Sequence, residues 1–492
     1  MANLINEAEI RDTWSPIIES ATGITDASKL AWMSEYCHNH KLYEDANIMA
    51  LSPGMNIGGM GAVSFPSGFG ASPATKGSGD KAPTLLPLAM QVAAQTIGLD
   101  LVPVVPMAGP MGLLSYLDFV YEGGRLAGST VAPTYIKSAY AALETDQAGV
   151  ADFGILFDLI GTSRIDGKTI YKITGTLTGG KSVQEAANAA QASGAAETVE
   201  LVKALEDHIA GFVGNADESP YDRATGESTP EKLMGLSLFS KSVEAKTYQV
   251  AAAVTREQVQ DLKQFGVDAV AQVEAVLVNE LTQTINDLII NKIGTLGASN
   301  IAKSVSAGEI PAGALTVKLV AASAFTGGQT EGSEHRKVLT GILSAANLIA
   351  NRGRRGAGNF AIVGPQVATV LQSVAGFVPN PFANTISQSA GAIYPVGSVA
   401  GIQVYTNPKW KWSNNNVYVG RKGDGNGPGL VFMPYLMAES VQTIAEGTMA
   451  PKIAVKSRFA LVEAGFHPET QYVSFTVTKL DGTAFDNIVS LA

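Results

Sequence analysis

The residues that come closest to a chemical site stand together in "NRGRRGAGNFAIVGP", Asn351 to Pro365. Glycine lets a backbone approach phosphate, and arginine forks match phosphate oxygens. A dinucleotide fingerprint needs a strand, then G-x-G-x-x-G, then a helix. Here Gly353, Gly356 and Gly358 run in the reverse spacing, after a helical pattern and before a strand-like run. Gly353 reads instead as a helix C-cap, with Arg352, Arg354 and Arg355 beside the negative end of the helix dipole. Pro365 then opens a further helix whose buried face is Val367, Val370, Leu371 and Val374. The three arginines are read as subunit contacts made through salt bridges.

Other constellations carry less. "GTSRIDGKT", Gly161 to Thr169, has five residues between its glycines where a phosphate loop needs four. Asp166-Gly167 lies between strand-like runs, which is hairpin chemistry. Cys37, His38 and His40 in "CHNH" are of metal-ligand type, but helix neighbours diverge by about 100° and no second cluster answers them. His208, His335 and His467 are isolated in sequence, with no triad spacing around them. We therefore assign no catalytic, cofactor-binding or metal residue.

The elements that carry these residues belong to a core-forming chain. Of 492 residues, 46% are hydrophobic and only 16% charged, so much surface is expected to be buried against other subunits. The net charge of −10 argues against nucleic-acid wrapping as the main task. A single cysteine, Cys37, excludes an intrachain disulfide, and the polar, acidic start does not read as a signal peptide. Leu85 to Leu114 is strongly apolar, yet Asp100 and four prolines interrupt it, so it reads as a buried helix and then an extended segment.

Along the chain, the first 45 residues read as two short helices with an apolar patch at Trp14, Ile17 and Ile18. Leu51 to Lys81 is rich in Gly, Ser and Pro and reads as an arm that needs a neighbour to order it. Lys181 to Gly211 is Ala-rich and predicts helix broken at Gly194; Asn215 to Lys232 predicts a polar loop. "SVEAKTYQVAAAV" predicts a strand, and Thr255 with Gln258 a capping box. Gly266 then breaks the chain and Asp268 caps a helix of roughly 26 residues, about 39 Å long, carrying Val270, Val273, Leu277, Leu281, Ile285 and Leu288. Leu339 to Ile349 is a further helix, and the remainder is dominated by short strands.

This ordered series resembles the major capsid proteins of T-even-type tailed bacteriophages. The strand, capping box and long helix carry it, followed by "RRGAGNFAIVGP", "GLVFMPYL" and "PKIAVKSRFALV", with "EAEIRDTWSPIIE" at the start. The resemblance implies an α+β chain of the HK-ninety-seven-type capsid fold. Its parts would be an N-terminal helical segment at 1–50, an N-arm and following helix at 51–115, and an E-loop region with an insertion at 116–240. A P-domain strand and spine helix at 241–300, an A-domain at 301–440 and return strands to the P-domain at 441–492 would follow.

It further implies a virion protein that assembles with itself into hexameric capsomers, with pentameric ones as a further form, of an icosahedral head put together in the host cytoplasm. Implied partners are scaffold, portal and vertex or decoration proteins, and packaged double-stranded DNA bound without sequence specificity, with no membrane and no cofactor. Family members are trimmed by a prohead protease after Leu/Ile-x-Glu. Leu42-Tyr43-Glu44 fits that pattern, making Glu44 the candidate cleavage site, and Ile17-Ile18-Glu19 fits as well. The competing readings are a nucleotide-binding enzyme using 351–358, and another virion component such as a vertex or tail-sheath protein.

Overall fold

The computed structural model describes residues 7–50, 86–96, 98–125, 135–138, 155–163, 168–175, 187, 200–204, 233–265, 268–306, 310–311, 313, 315–320, 330–380, 393–423, 427–444 and 450–479. The arm at 51–81, the Asp166-Gly167 turn, Gly266 and the 215–232 loop therefore lie outside the described residues, as does His208.

The chain begins with two helices, α1 (Glu7–Thr22) and α2 (Ala27–Ala50). The turn between them puts Gly23 at φ 72, a left-handed conformation that suits a residue without Cβ. Trp14 and Ile18 are buried as the apolar patch requires, but Ile17 is 45% exposed. It sits between Pro16 and Ile18, about 100° round the helix from the buried stripe. The apolar stretch gives α3 (Leu86–Gln95), α4 (Gly98–Leu101) and an extended run to Pro110, in agreement with the sequence. Among the described residues no helix is long and apolar enough to cross a membrane.

A closed six-stranded barrel follows, in the order β1-β5-β2-β4-β3-β6. Its strands are β1 (Met111–Arg125), β2 (Tyr135–Ser138), β3 (Ile155–Ser163), β4 (Thr169–Gly175), β5 (Glu200–Ala204) and β6 (Leu233–Glu244). β1 and β6 run antiparallel from Met111↔Glu244 to Glu122↔Leu233, and β3 pairs with β4 through Thr162↔Thr169, flanking the expected hairpin turn. Closure leaves no free edge. Tyr116, Ile136, Phe157, Ile170, Tyr171 and Phe239 are among its buried side chains. One expectation fails here: Glu200–Ala204 lies in the Ala-rich segment read as helix, yet it is a strand paired with β1 and β2. Cross-strand pairing overrides a propensity worth only tenths of a kcal/mol per residue.

From the barrel the chain enters β7 (Lys246–Ala253), then α5 (Arg256–Gln264) behind the Thr255/Gln258 capping box. Asp268 Oδ1 accepts from the Val270 N–H at 3.0 Å and opens α6 (Ala269–Ser306), which runs 38 residues. That is longer than the 26 read from periodicity, because the apolar stripe gives out before the helix does. Leu277, Leu281 and Ile285 are buried as expected, whereas Val270, Val273 and Leu288 are half-buried.

Two open sheets flank α6. The three-stranded sheet has the order β14-β15-β7, with β14 (Gly429–Ile444) and β15 (Pro451–Ala464) antiparallel. The seven-stranded sheet has the order β10-β11-β12-β9-β13-β16-β8. Its strands are β8 (Val317–Leu319), β9 (Phe360–Val363), β10 (Phe377–Pro379), β11 (Tyr394–Val399), β12 (Ile402–Thr406), β13 (Asn416–Gly420) and β16 (Tyr472–Lys479). The last strands thus divide: β15 joins the first sheet and β16 the second. Helices α7 (Glu331–Gly353) and α8 (Pro365–Gln372) complete the second core.

α6 binds the two sheets together. It packs on β7 and β15 of the smaller sheet and on β13 and β16 of the larger one. A Cβ at Gly294 would sit 2.7 Å from the Tyr418 ring, and one at Gly297 only 2.6 Å from the Ser474 backbone nitrogen. Glycine is what lets helix and sheet backbones approach this closely.

Candidate assembly site

The Asn351–Pro365 stretch is a joint between α7 and the central strand β9. Contrary to the sequence reading, the left-handed residue at the end of α7 is Arg354, at φ 50, whose N–H donates to the Ala350 carbonyl at 3.0 Å. Gly353 is instead the last helical residue, and a Cβ there would lie 2.6 Å from Gln471 Nε2. Gly358 packs against Ala346 and Val419 in the same way. β9 is buried throughout between β12, parallel, and β13, antiparallel.

Pro365 does open α8, with Val367, Val370 and Leu371 buried and Val374 just past its end. The N-terminus of α8 is closed, because a Cβ on Gly364 would meet the Asn414 carbonyl at 2.0 Å. Gly353, Gly358 and Gly364 are held by close packing, and Gly356 takes a left-handed φ of 123.

Of the three arginines, Arg352 and Arg355 are half-buried and Arg354 is exposed. Beside them Gly353 abuts Gln471 of the 3-10 turn Pro468–Gln471, which packs on both α6 and α7. Arg421 joins this corner, donating from its backbone N–H to the Gln471 carbonyl at 3.0 Å.

The same turn holds a charged cluster that sequence spacing missed. His467, isolated in sequence by our reading, has Nδ1 3.3 Å from Glu469 Oε1, and Lys303 of α6 pairs with the same carboxylate. Burial would raise the Glu469 pKa, but the His467 hydrogen bond and the Lys303 charge outweigh it and hold the carboxyl well below the usual carboxylate range. The only sequence signal was a histidine two residues from a glutamate; Lys303 comes from 166 residues away. The cluster welds the β15–β16 connection to the end of α6.

On α2, Cys37 and His40 are buried and are not metal ligands of an exposed site. Burial pushes the Cys37 thiol up to about 12 and His40 down to about 4, the latter opposed by the charge of Glu439. Among the described residues no group of three or more His, Cys, Asp and Glu could hold a metal ion. Glu44 lies on α2, and its side chain is outside the described residues.

The surface is where the chain departs from an isolated globule. Met111, Leu113 and Leu117 repeat along one face of β1 and are 73%, 53% and 40% exposed. Phe265, at the end of α5, is 81% exposed, and no residue of α5 is buried. Exposed apolar stripes of this kind mark contact surfaces.

Comparison with known proteins decides what those contacts serve. The profile of the family Major capsid protein Gp23 matches residues 78–490. The chain belongs to this family. A major capsid protein of Vibrio phage KVP40 is 24% identical over 404 residues, covering 77% of this chain and 75% of that protein. That of Enterobacteria phage T4 is 24% identical over 391 residues, covering 77% and 74%. That of Escherichia phage AR1 is 25% identical over 313 residues, covering 59% and 57%. As a member of this capsid family the chain is a structural protein of the phage shell, assembles with copies of itself and resides in the virion. The nucleotide-enzyme alternative finds no support in these relatives, whose shared description is structural.

Proposed function

We propose that the chain closes hexameric capsomers, with pentamers as a second use of the same subunit, that tile an icosahedral head around double-stranded DNA. In this reading α6 with β7, β14 and β15 forms the P-domain of the HK-ninety-seven-type fold. The seven-stranded sheet with α7 and α8 is the A-domain, and the barrel on β1 and β6 is an elaborated E-loop. Residues 51–81 are the arm. The observation that carries it is the exposed Met111–Leu113–Leu117 stripe at the barrel base, an apolar face a shell subunit would cover with its neighbour.

Arg352, Arg354 and Arg355 are subunit contacts in this reading, reaching out from the joint. Assembly takes place in the host cytoplasm with scaffold, portal and vertex or decoration proteins, and the packaged DNA is met without sequence specificity. The subunit itself performs no catalysis. A prohead protease would cut after Glu44. That cut strips Ile18, Met33, Tyr36 and Cys37 from the core, so it requires a neighbour to cover what it exposes. Intact mass of mature particles tests it, and full-length chain there overturns it.

Electron microscopy of the purified protein tests the main reading. Closed shells or hexameric rings are expected. Tubes would favour a sheath, and monomers that bind nucleotide would overturn it.

A further inference from the structure

Among the described residues there are two open sheets and therefore four sheet edges, which are not treated alike. β10 and β8 end the larger sheet with three residues each, and β10 finishes on Pro379. β14 ends the smaller sheet with Pro434 in its ladder and two register shifts around Leu436. Residues 103–107 also cover β14. The Phe432 N–H donates to the Pro103 carbonyl at 3.0 Å, and the Val105 N–H to the Phe432 carbonyl at 2.9 Å. Short strands, proline, bulges and covering segments are the devices that prevent edge-to-edge pairing.

β7 has none of them. Its sequence, KTYQVAAA, contains no proline or glycine and one charge, Lys246, at its first residue. Every residue from Lys246 to Ala253 pairs with β15 in unbroken register. Antiparallel strands send the N–H and C=O of alternate residues to opposite sides, so about half of the β7 backbone groups face away from β15. Among the described residues no strand or backbone hydrogen bond meets them there.

The side chains agree. Tyr248, Val250 and Ala252 face the core but are only half-buried, while their partners Ser457, Val455 and Ile453 on β15 are fully buried. One more strand beyond β7 would finish their burial.

We propose that in the assembled shell β7 pairs antiparallel with β7 of a second copy across a two-fold axis. The two three-stranded sheets then become one six-stranded sheet. The inference rests on the reading that this chain forms a shell with copies of itself. A two-fold contact uses one patch twice, so that patch must be self-complementary. β7 meets this condition: the two Lys246 side chains fall at opposite ends of the ladder, and Ala251–Ala253 leave room for close approach. Residues opposite each other point to the same face. The exposed row is Thr247, Gln249, Ala251 and Ala253, so a continuous outer face requires odd-numbered residues to meet odd-numbered ones. If seven of the eight residues overlap, Gln249 then lies opposite Gln249 or opposite Ala251.

Cysteine scanning in assembled particles tests this with Gln249→Cys, Ala251→Cys and the double variant. Opposed residues have Cα atoms about 4.5–5.5 Å apart, within disulfide reach. The native Cys37 is buried and gives a quiet background. After oxidation, a disulfide-linked dimer is expected in particles from a single variant or from the double variant, and not from the unassembled chain. Particles visible by microscopy with no dimer in any of the three overturn the inference and leave the shell reading standing. Absence of particles from the unaltered chain overturns the shell reading instead. Hydrogen exchange on the unaltered chain covers the case of a variant that does not assemble. A gain of roughly 10-fold or more in β7 amide protection on assembly is expected. No gain overturns the inference, and so does protection in the unaltered shell when variants that do assemble fail to cross-link, because another strand would then cover the edge.

Discussion

The Met437 N–H donates to the Tyr36 hydroxyl oxygen at 2.9 Å, across 401 residues of sequence. Tyr36 is buried on α2 and Met437 is buried on β14, so this bond ties the N-terminal helices to the core that carries α6. Tyr36→Phe keeps the ring and leaves a buried N–H without its acceptor, a loss of about 1–3 kcal/mol. Thermal unfolding of the unassembled chain should show it. A change below about 0.5 kcal/mol would mean that the N–H has found another acceptor.

His40 makes the same contact sensitive to acid. Its folded value is about 4 against 6.5 for the free side chain, because burial opposes the charged form. The unfolded chain therefore takes up the proton first as pH falls. Stability should decline between about pH 6.5 and pH 4, by at most ~3 kcal/mol. His40→Leu should flatten that part of the stability curve, and an unchanged slope would assign the effect elsewhere.

Glu469 works lower on the pH scale. Its carboxyl is held below the usual range despite burial, by His467 and Lys303, so its contribution is present above the ordinary carboxylate value. That contribution is lost as pH falls from about 4 downward. Glu469→Gln should cost roughly 1–3 kcal/mol at neutral pH, reduced from the fully buried case because Lys303 is partly exposed. In denaturant titrations the gap between the variant and the unaltered chain should narrow from neutral pH to about pH 3 without closing, because the folded carboxyl is still ionised there.

Gly297→Ala should destabilise although alanine favours a helix by about 1 kcal/mol. The new Cβ would stand 2.6 Å from the Ser474 backbone nitrogen, and backbone on both sides cannot yield cheaply. We expect a net loss of roughly 1–3 kcal/mol in equilibrium unfolding. A stabilised variant would mean that α6 and β16 are farther apart than described.

Arg354→Gly separates folding from assembly. At φ 50 glycine is free of the left-handed penalty, so the unassembled chain should unfold at the same or a slightly higher temperature, by up to ~1 kcal/mol. If the arginine contacts a neighbour, shell yield should fall severalfold in the same preparation. Unchanged yield would remove Arg354 from the interface.

Much of the architecture was legible locally. The Thr255/Gln258 box, the Asp268 cap, the Pro365 helix start and the late strands are written in short-range patterns, and all are observed. The length of α6, the strand at Glu200–Ala204 and the role of Gly353 were not legible. Each depends on a distant partner, whether two sheets, the strands β1 and β2, or Gln471.

By itself the sequence determined that this chain forms a core, carries no recognisable catalytic or metal constellation, and follows the order of elements of a capsid subunit. The first two properties follow from composition and local spacing, which act within a turn or two of the backbone; the third rests on the resemblance of the ordered series to a known family. Tertiary structure alone decided that His467, Glu469 and Lys303 meet and that, among the described residues, three of four sheet edges are blunted and β7 is left open. The reason is physical: charge pairing and strand pairing are properties of juxtaposition in space, and residues hundreds of positions apart have no local signal for it.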